Sequence, residues 1–139
     1  MTLPRIDPHQ LPGRPCSAAA ALELIGDRWS LLVIRELLFG NSRFTELVRN
    51  IGAPRDRLAA RLKTLVETGI VERRQYSQSP PRWDYHLTPA GRALGPVVKA
   101  LREWGDEWAV TDPPPFDPAM LQRLDQPTPP ADQRETSTG

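Results

Sequence analysis

The sequence predicts a mainly helical domain carrying one small β-hairpin, an α+β arrangement. Three observations lead there. Apolar residues recur at helical spacing in four successive stretches between Ser17 and Thr68, and each stretch is closed by a glycine. The pattern then becomes strand-like over residues 70–76 and 82–87, on either side of the polar, Pro-rich run Ser77-Gln78-Ser79-Pro80-Pro81. Helical spacing resumes after Thr88-Pro89, a capping residue followed by a proline suited to a first helical turn.

Each element follows from local residue chemistry. Pro4, Pro8, Pro12 and Pro15 block a helix, so residues 1–15 read as an extended arm. Ser17 is placed to cap a helix through Ala18-Ala19-Ala20-Ala21-Leu22-Glu23-Leu24-Ile25, which Gly26 stops. Asp27 caps a second helix over 28–39, with Trp29, Leu32, Val33, Leu37 and Leu38 on its apolar face. Ser42 opens a third helix that turns Phe44, Leu47, Val48 and Ile51 to one side and ends at Gly52. Pro54 starts a fourth, running to Thr68 with Leu58, Leu62 and Leu65 inward. The hairpin comes next, and then a fifth helix to about residue 109, in which Pro96 introduces a kink or begins the main segment. The domain therefore spans 16–110. The acidic, Pro-rich tail over 111–139 is expected to be mobile, apart from a short helix across Pro118–Leu124.

Composition narrows the function. The chain has 139 residues, 39% hydrophobic and 25% charged, which suits one domain with a modest core. A single cysteine excludes a disulfide scaffold or a Cys-rich zinc site. No apolar run is long enough to span a bilayer, and the N-terminal residues lack a signal-peptide pattern, so a cytoplasmic protein is expected. His9 and His86 have no evident nucleophile partner, and neither a Gly-rich phosphate loop nor an HExxH motif is present, so an enzyme is not expected and no cofactor is implied. The net charge of +1 conceals a basic middle, since residues 43–92 carry 10 basic and 5 acidic groups while residues 103–139 carry 2 and 8. Such asymmetry suits a polyanionic partner.

Two short helices joined at Ile51-Gly52-Ala53-Pro54 and followed by a two-stranded ribbon form a winged helix-turn-helix pattern. Helix 53–68 offers Arg55, Arg57, Arg61 and Lys63, two of them in the first turn, where a recognition helix meets base edges. Arg73, Arg74 and Arg82 flank the hairpin loop and form a second contact region for double-stranded DNA. Tyr76 and Trp83 are expected to brace the hairpin. A winged helix used only for protein contacts would not need this excess of arginine. Late in the chain, Val97, Val98, Leu101, Trp104 and Trp108 make an apolar stripe that points to a homodimer interface, centred on Leu101, Trp104 and Trp108.

Five ordered blocks resemble the HxlR-type winged-helix regulators, relatives of MarR. They are Leu22-Glu23-Leu24-Ile25-Gly26-Asp27-Arg28-Trp29, Phe44-Thr45-Glu46-Leu47, Arg61-Leu62-Lys63-Thr64-Leu65, Gly69-Ile70-Val71-Glu72-Arg73, and Pro81-Arg82-Trp83-Asp84-Tyr85-His86-Leu87-Thr88-Pro89. The resemblance implies a homodimeric bacterial transcription factor on a roughly palindromic operator. Helix 53–68 would enter the major groove, hairpin 70–87 would be the wing, and the first and last helices would form the dimer interface. Some members sense oxidants or electrophiles through a cysteine near the position of Cys16, which here opens a helix whose positive end favours a thiolate. A regulator that senses a small ligand without covalent chemistry is the alternative, and a small buried cysteine anchoring the arm is the alternative for Cys16. One departure concerns the start of the recognition helix, where members often carry Ser or Thr and this chain has Ala53-Pro54.

Overall fold

A computed structural model describes residue 3 and residues 5–125. The expected mobility of 126–139 lies outside the described residues. After a short 3-10 turn, Pro8–Gln10, the elements run α1 Ser17–Ile25, α2 Ser30–Leu38, α3 Phe44–Ile51, α4 Arg55–Glu67, β1 Val71–Gln78, β2 Pro81–Leu87, α5 Pro89–Arg92, α6 Gly95–Trp104 and α7 Pro118–Leu124.

Helix α2 is the hub, in contact with α3, α4, α5, α6, α7 and β2. Its Val33 and Ile34 are fully buried and meet Leu47, Leu58, Leu62 and Leu65 in one core. Burying side chains of this size stabilises the domain by about 1.5–3 kcal/mol each. Two polar groups share this interior. Glu36 accepts from Arg35 Nε at 2.9 Å and Asn41 Nδ2 at 3.0 Å, which fastens the end of α2 to the turn before α3. Ser30 donates its hydroxyl to the Asp27 carboxylate.

Helix boundaries differ from the expected ones for identifiable reasons. Asp27 accepts from the amides of Trp29 and Ser30 at 3.0 Å each in the turn that leads into α2, but the regular helix begins only at Ser30 and its cap is Trp29 rather than Asp27. The cap of α1 is Cys16 rather than Ser17, with no side-chain hydrogen bond. The hairpin is tighter than expected, because β1 continues through Tyr76 and Ser77 to Gln78 and only Ser79 and Pro80 separate the strands. A register irregularity between Gln75 and Ser77 absorbs the extra residue.

The expected fifth helix is three pieces. Thr88 caps α5, its hydroxyl accepting from the Gly91 amide at 3.3 Å while donating to Gly69 O at 2.6 Å. Pro96 then starts α6 instead of bending a continuous helix. A π-helical turn, Gly105–Ala109, follows.

The short helix expected across Pro118–Leu124 forms as α7, and with Phe116 before it packs on the domain. Helix α7 closes the core with Leu124, which is fully buried. Its backbone lies so close to Gly95 that any side chain there would collide with Leu124 O. Phe116 packs on Phe39 with ring centroids 5.9 Å apart, and Lys99 Nζ pairs with Asp125 at 2.8 Å. The arm is not wholly extended, since Asp7 caps the 3-10 turn and Leu3 packs on the core.

Candidate nucleic-acid interface

Helix α3 ends at Gly52, whose φ of +77° is left-handed backbone that a side chain would strain. The chain reverses through Gly52 and the buried Ala53, and Pro54 occupies the cap of α4 with its φ already helical at −56°. No side chain caps α4, so the first-turn amides have no side-chain acceptor. This exposed, positive helix start is suited to an anion.

Leu58, Leu62 and Leu65 turn inward. Arg55, Asp56, Arg57, Ala59, Ala60 and Lys63 are exposed. The Arg55 guanidinium lies 5.4 Å from the Phe44 ring, a contact that ties it to α3. Arg57 and Lys63 have no ion-pair partner among the described residues.

Arg61 is placed differently. It is half-buried and its Nη1 lies 3.5 Å from Asp27 Oδ1, so it faces the turn between α1 and α2. Partial burial pushes the Asp27 carboxyl up. The Ser30 hydroxyl, the amides of Trp29 and Ser30, and Arg61 outweigh that and hold it below its ordinary range.

The strands pair Arg73 with Tyr85, Arg74 with Asp84, Gln75 with Trp83 and Ser77 with Arg82. The Arg73 guanidinium stacks on Trp83 at 3.9 Å, so Trp83 braces the hairpin as expected. Tyr76 carries Arg43 at 4.6 Å, and Arg43 stands at the cap of α3. That cation joins the hairpin to the two-helix unit. It was invisible to sequence reasoning because nothing local marks Arg43 as a neighbour of Tyr76. Arg74 pairs with Glu72, whereas Arg82 is exposed with no such partner among the described residues. At the hairpin base, Tyr85 donates its amide to Ser42 O at 2.8 Å.

The late stripe is uncovered in the single chain. Leu101 is 55% exposed, Trp104 62% and Trp108 71%, and Leu22 on α1 is 62% exposed. Trp104 ends α6 and Trp108 lies in the π-helical turn that follows it. Cys16 is exposed at the start of α1, where the amides of Ala19 and then Ala18 lower its thiol pKa. Among the described residues, no three His, Cys, Asp or Glu side chains gather as a metal site. No helix among them is long and apolar enough to cross a membrane.

Two helices around a tight glycine turn, a basic second helix and a basic hairpin beside it define a winged helix-turn-helix protein. The chain belongs to the family described as HxlR-like helix-turn-helix, whose model matches residues 24–113. It is 48% identical over 100 residues to the HTH-type transcriptional regulator Rv3095 of Mycobacterium tuberculosis, covering 72% of this chain and 62% of that one. The figures are the same for Mb3122 of Mycobacterium bovis, so the chain spans about three fifths of the length of these mycobacterial relatives. The regulator sll1512 of Synechocystis is 36% identical over 109 residues, covering 78% of this chain and 81% of its own. Among solved structures, the redox regulator HypR in its reduced form superposes with a TM-score of 0.60 at 32% identity, over 66% of this chain and 92% of HypR. The reduced transcriptional regulator YodB of B. subtilis gives 0.55 at 34% identity, over 67% and 92%.

Proposed function

We propose that the chain is a cytoplasmic transcriptional regulator that binds a pseudo-palindromic operator as a homodimer, with α4 in the major groove and the β1–β2 hairpin on the adjacent backbone. The observation that carries this reading is the concentration of exposed cations on one helix and one hairpin: Arg55, Arg57, Lys63, Arg73, Arg74 and Arg82. A phosphate backbone is the partner such a surface suits, and Arg at the start of a recognition helix suits guanine. Asp56, between Arg55 and Arg57, is an acceptor for a cytosine amine. Arg61 acts by holding α4 against the α1–α2 turn through Asp27, and contacts DNA only if that ion pair opens.

Leu101, Trp104 and Trp108 supply the dimer interface, with Leu22 of α1 alongside. Large apolar surface left uncovered on a small domain is what subunit association buries. Cys16 is the sensor in this reading. Its thiolate attacks an oxidant or electrophile, and an adduct between the arm and α1 alters the angle between subunits. HypR, a redox regulator by name, is a structural neighbour and fits that role.

Footprinting the promoter region upstream of the protein's own gene tests the DNA reading. Protection of two related half-sites is expected. Absence of protection at saturating protein and low salt would overturn it.

A further inference from the structure

We propose that a cleft between the hairpin base and α7 binds a small organic carboxylate, with its anionic end at Arg92 and Arg123 and its apolar body on Leu38, Tyr85 and Leu87. The cleft encloses about 310 Å³, enough for a single small organic molecule. Its lining combines the apolar side chains of Leu37, Leu38 and Leu87 with two arginines; His86 also lines it, but its Nε2 is held by Asp84 Oδ1 at 2.9 Å, and no carboxylate side chain is among the lining residues described.

The charge balance of this region singles out the two arginines. Lys99 pairs with Asp125 and Arg102 with Asp106, so those cations are already neutralised. Arg92 and Arg123 are both exposed and have no carboxylate partner among the described residues. Arg123 donates through Nη1 to Phe39 O, which fixes the side chain across the end of α2 and uses one of its five N–H donors. A planar guanidinium held in this way is preorganised for a carboxylate. The apolar floor decides between anions, because inorganic phosphate has nothing to place against Leu38 and Leu87. Arg123 lies beyond residue 113, where the family match ends, so this wall belongs to the chain's own C-terminal segment. Ser42 also lines the cleft, and its carbonyl holds the hairpin through Tyr85, so a ligand there sits where the hairpin joins the helix pair.

The test titrates the ¹⁵N-labelled full chain, without DNA, with sodium benzoate, benzamide or inorganic phosphate at constant ionic strength. It therefore stands apart from whether the chain binds an operator. Saturable shifts of the Leu38, Ser42, Tyr85 and Leu87 amides are expected with benzoate, with a Kd on the order of 1 mM or tighter. Benzamide should give none, phosphate should bind at least about tenfold more weakly, and Arg92→Gln should raise the benzoate Kd about tenfold. The same spectra report whether Arg92→Gln, a surface change, remains folded. No saturable shift with benzoate would overturn the proposal. So would equal binding of benzamide or phosphate, or a folded Arg92→Gln protein with unchanged affinity.

Discussion

Replacing Arg82 by Ala in both subunits removes one hairpin cation from each half of a bound dimer. Arg82 is exposed and has no ion-pair partner among the described residues, so its charge is available to a phosphate. Each phosphate neutralised contributes about 0.9 to the slope of log affinity against log salt, so the loss of two lowers that slope by about 1.8. A fourfold rise in salt spans about 0.6 log units, over which the parent protein should lose about tenfold more affinity than the variant. Arg61→Ala is the contrast. Its guanidinium faces Asp27 at 3.5 Å, so its removal should leave the slope unchanged. That loss should appear instead as lower folding stability, by about 0.2–1 kcal/mol for a half-exposed pair. Fluorescence anisotropy with a labelled duplex over a salt series, together with urea unfolding, measures both. An unchanged slope for Arg82→Ala, or a larger slope change for Arg61→Ala, would refute the assignment of these cations.

Two other expectations follow from the exposed groups. Trp104→Ala with Trp108→Ala should weaken self-association by more than about 2 kcal/mol, and a double variant still dimeric at low micromolar concentration in the ultracentrifuge would remove these residues from the interface. Because the helix amides lower the Cys16 pKa, its alkylation should reach half-maximal rate at a lower pH than that of an unstructured cysteine peptide. Diamide with glutathione should then release DNA from the parent but not from Cys16→Ser, whereas a modified protein with unaltered affinity would mark a structural cysteine.

The helical core and hairpin were legible because each is written in local pattern. The spacing of Leu58, Leu62 and Leu65 fixes the inward face of α4, and the glycines at 26, 40, 52 and 69 each follow a helix. What escaped was long-range. Arg61 reads in sequence like any other basic residue on its helix, and only the approach of the α1–α2 turn pairs it with Asp27. Arg43 meets Tyr76 across the space between α3 and the hairpin, a contact with no sequence signature. The helix Pro118–Leu124 is legible from its local pattern, but its packing is not: Phe116 and Leu124 contact the core across more than 70 residues of chain, which composition does not mark. Ile34 lies outside the apolar stripe expected for α2 yet is fully buried, because α2 is covered on several sides and burial there does not follow one stripe.

In the proposed complex, two copies place their α4 helices in successive major grooves on one face of the duplex. Such helices must lie about one helical turn, roughly 34–36 Å, apart. The most direct measurement compares the footprinted operator with a version in which about 5 base pairs are inserted between the half-sites, half a helical turn. The insertion should reduce dimer affinity to the level of random DNA. Binding within about twofold of the parent site would contradict it, because the rotated half-site lies on the opposite face of the duplex, out of reach of the second subunit.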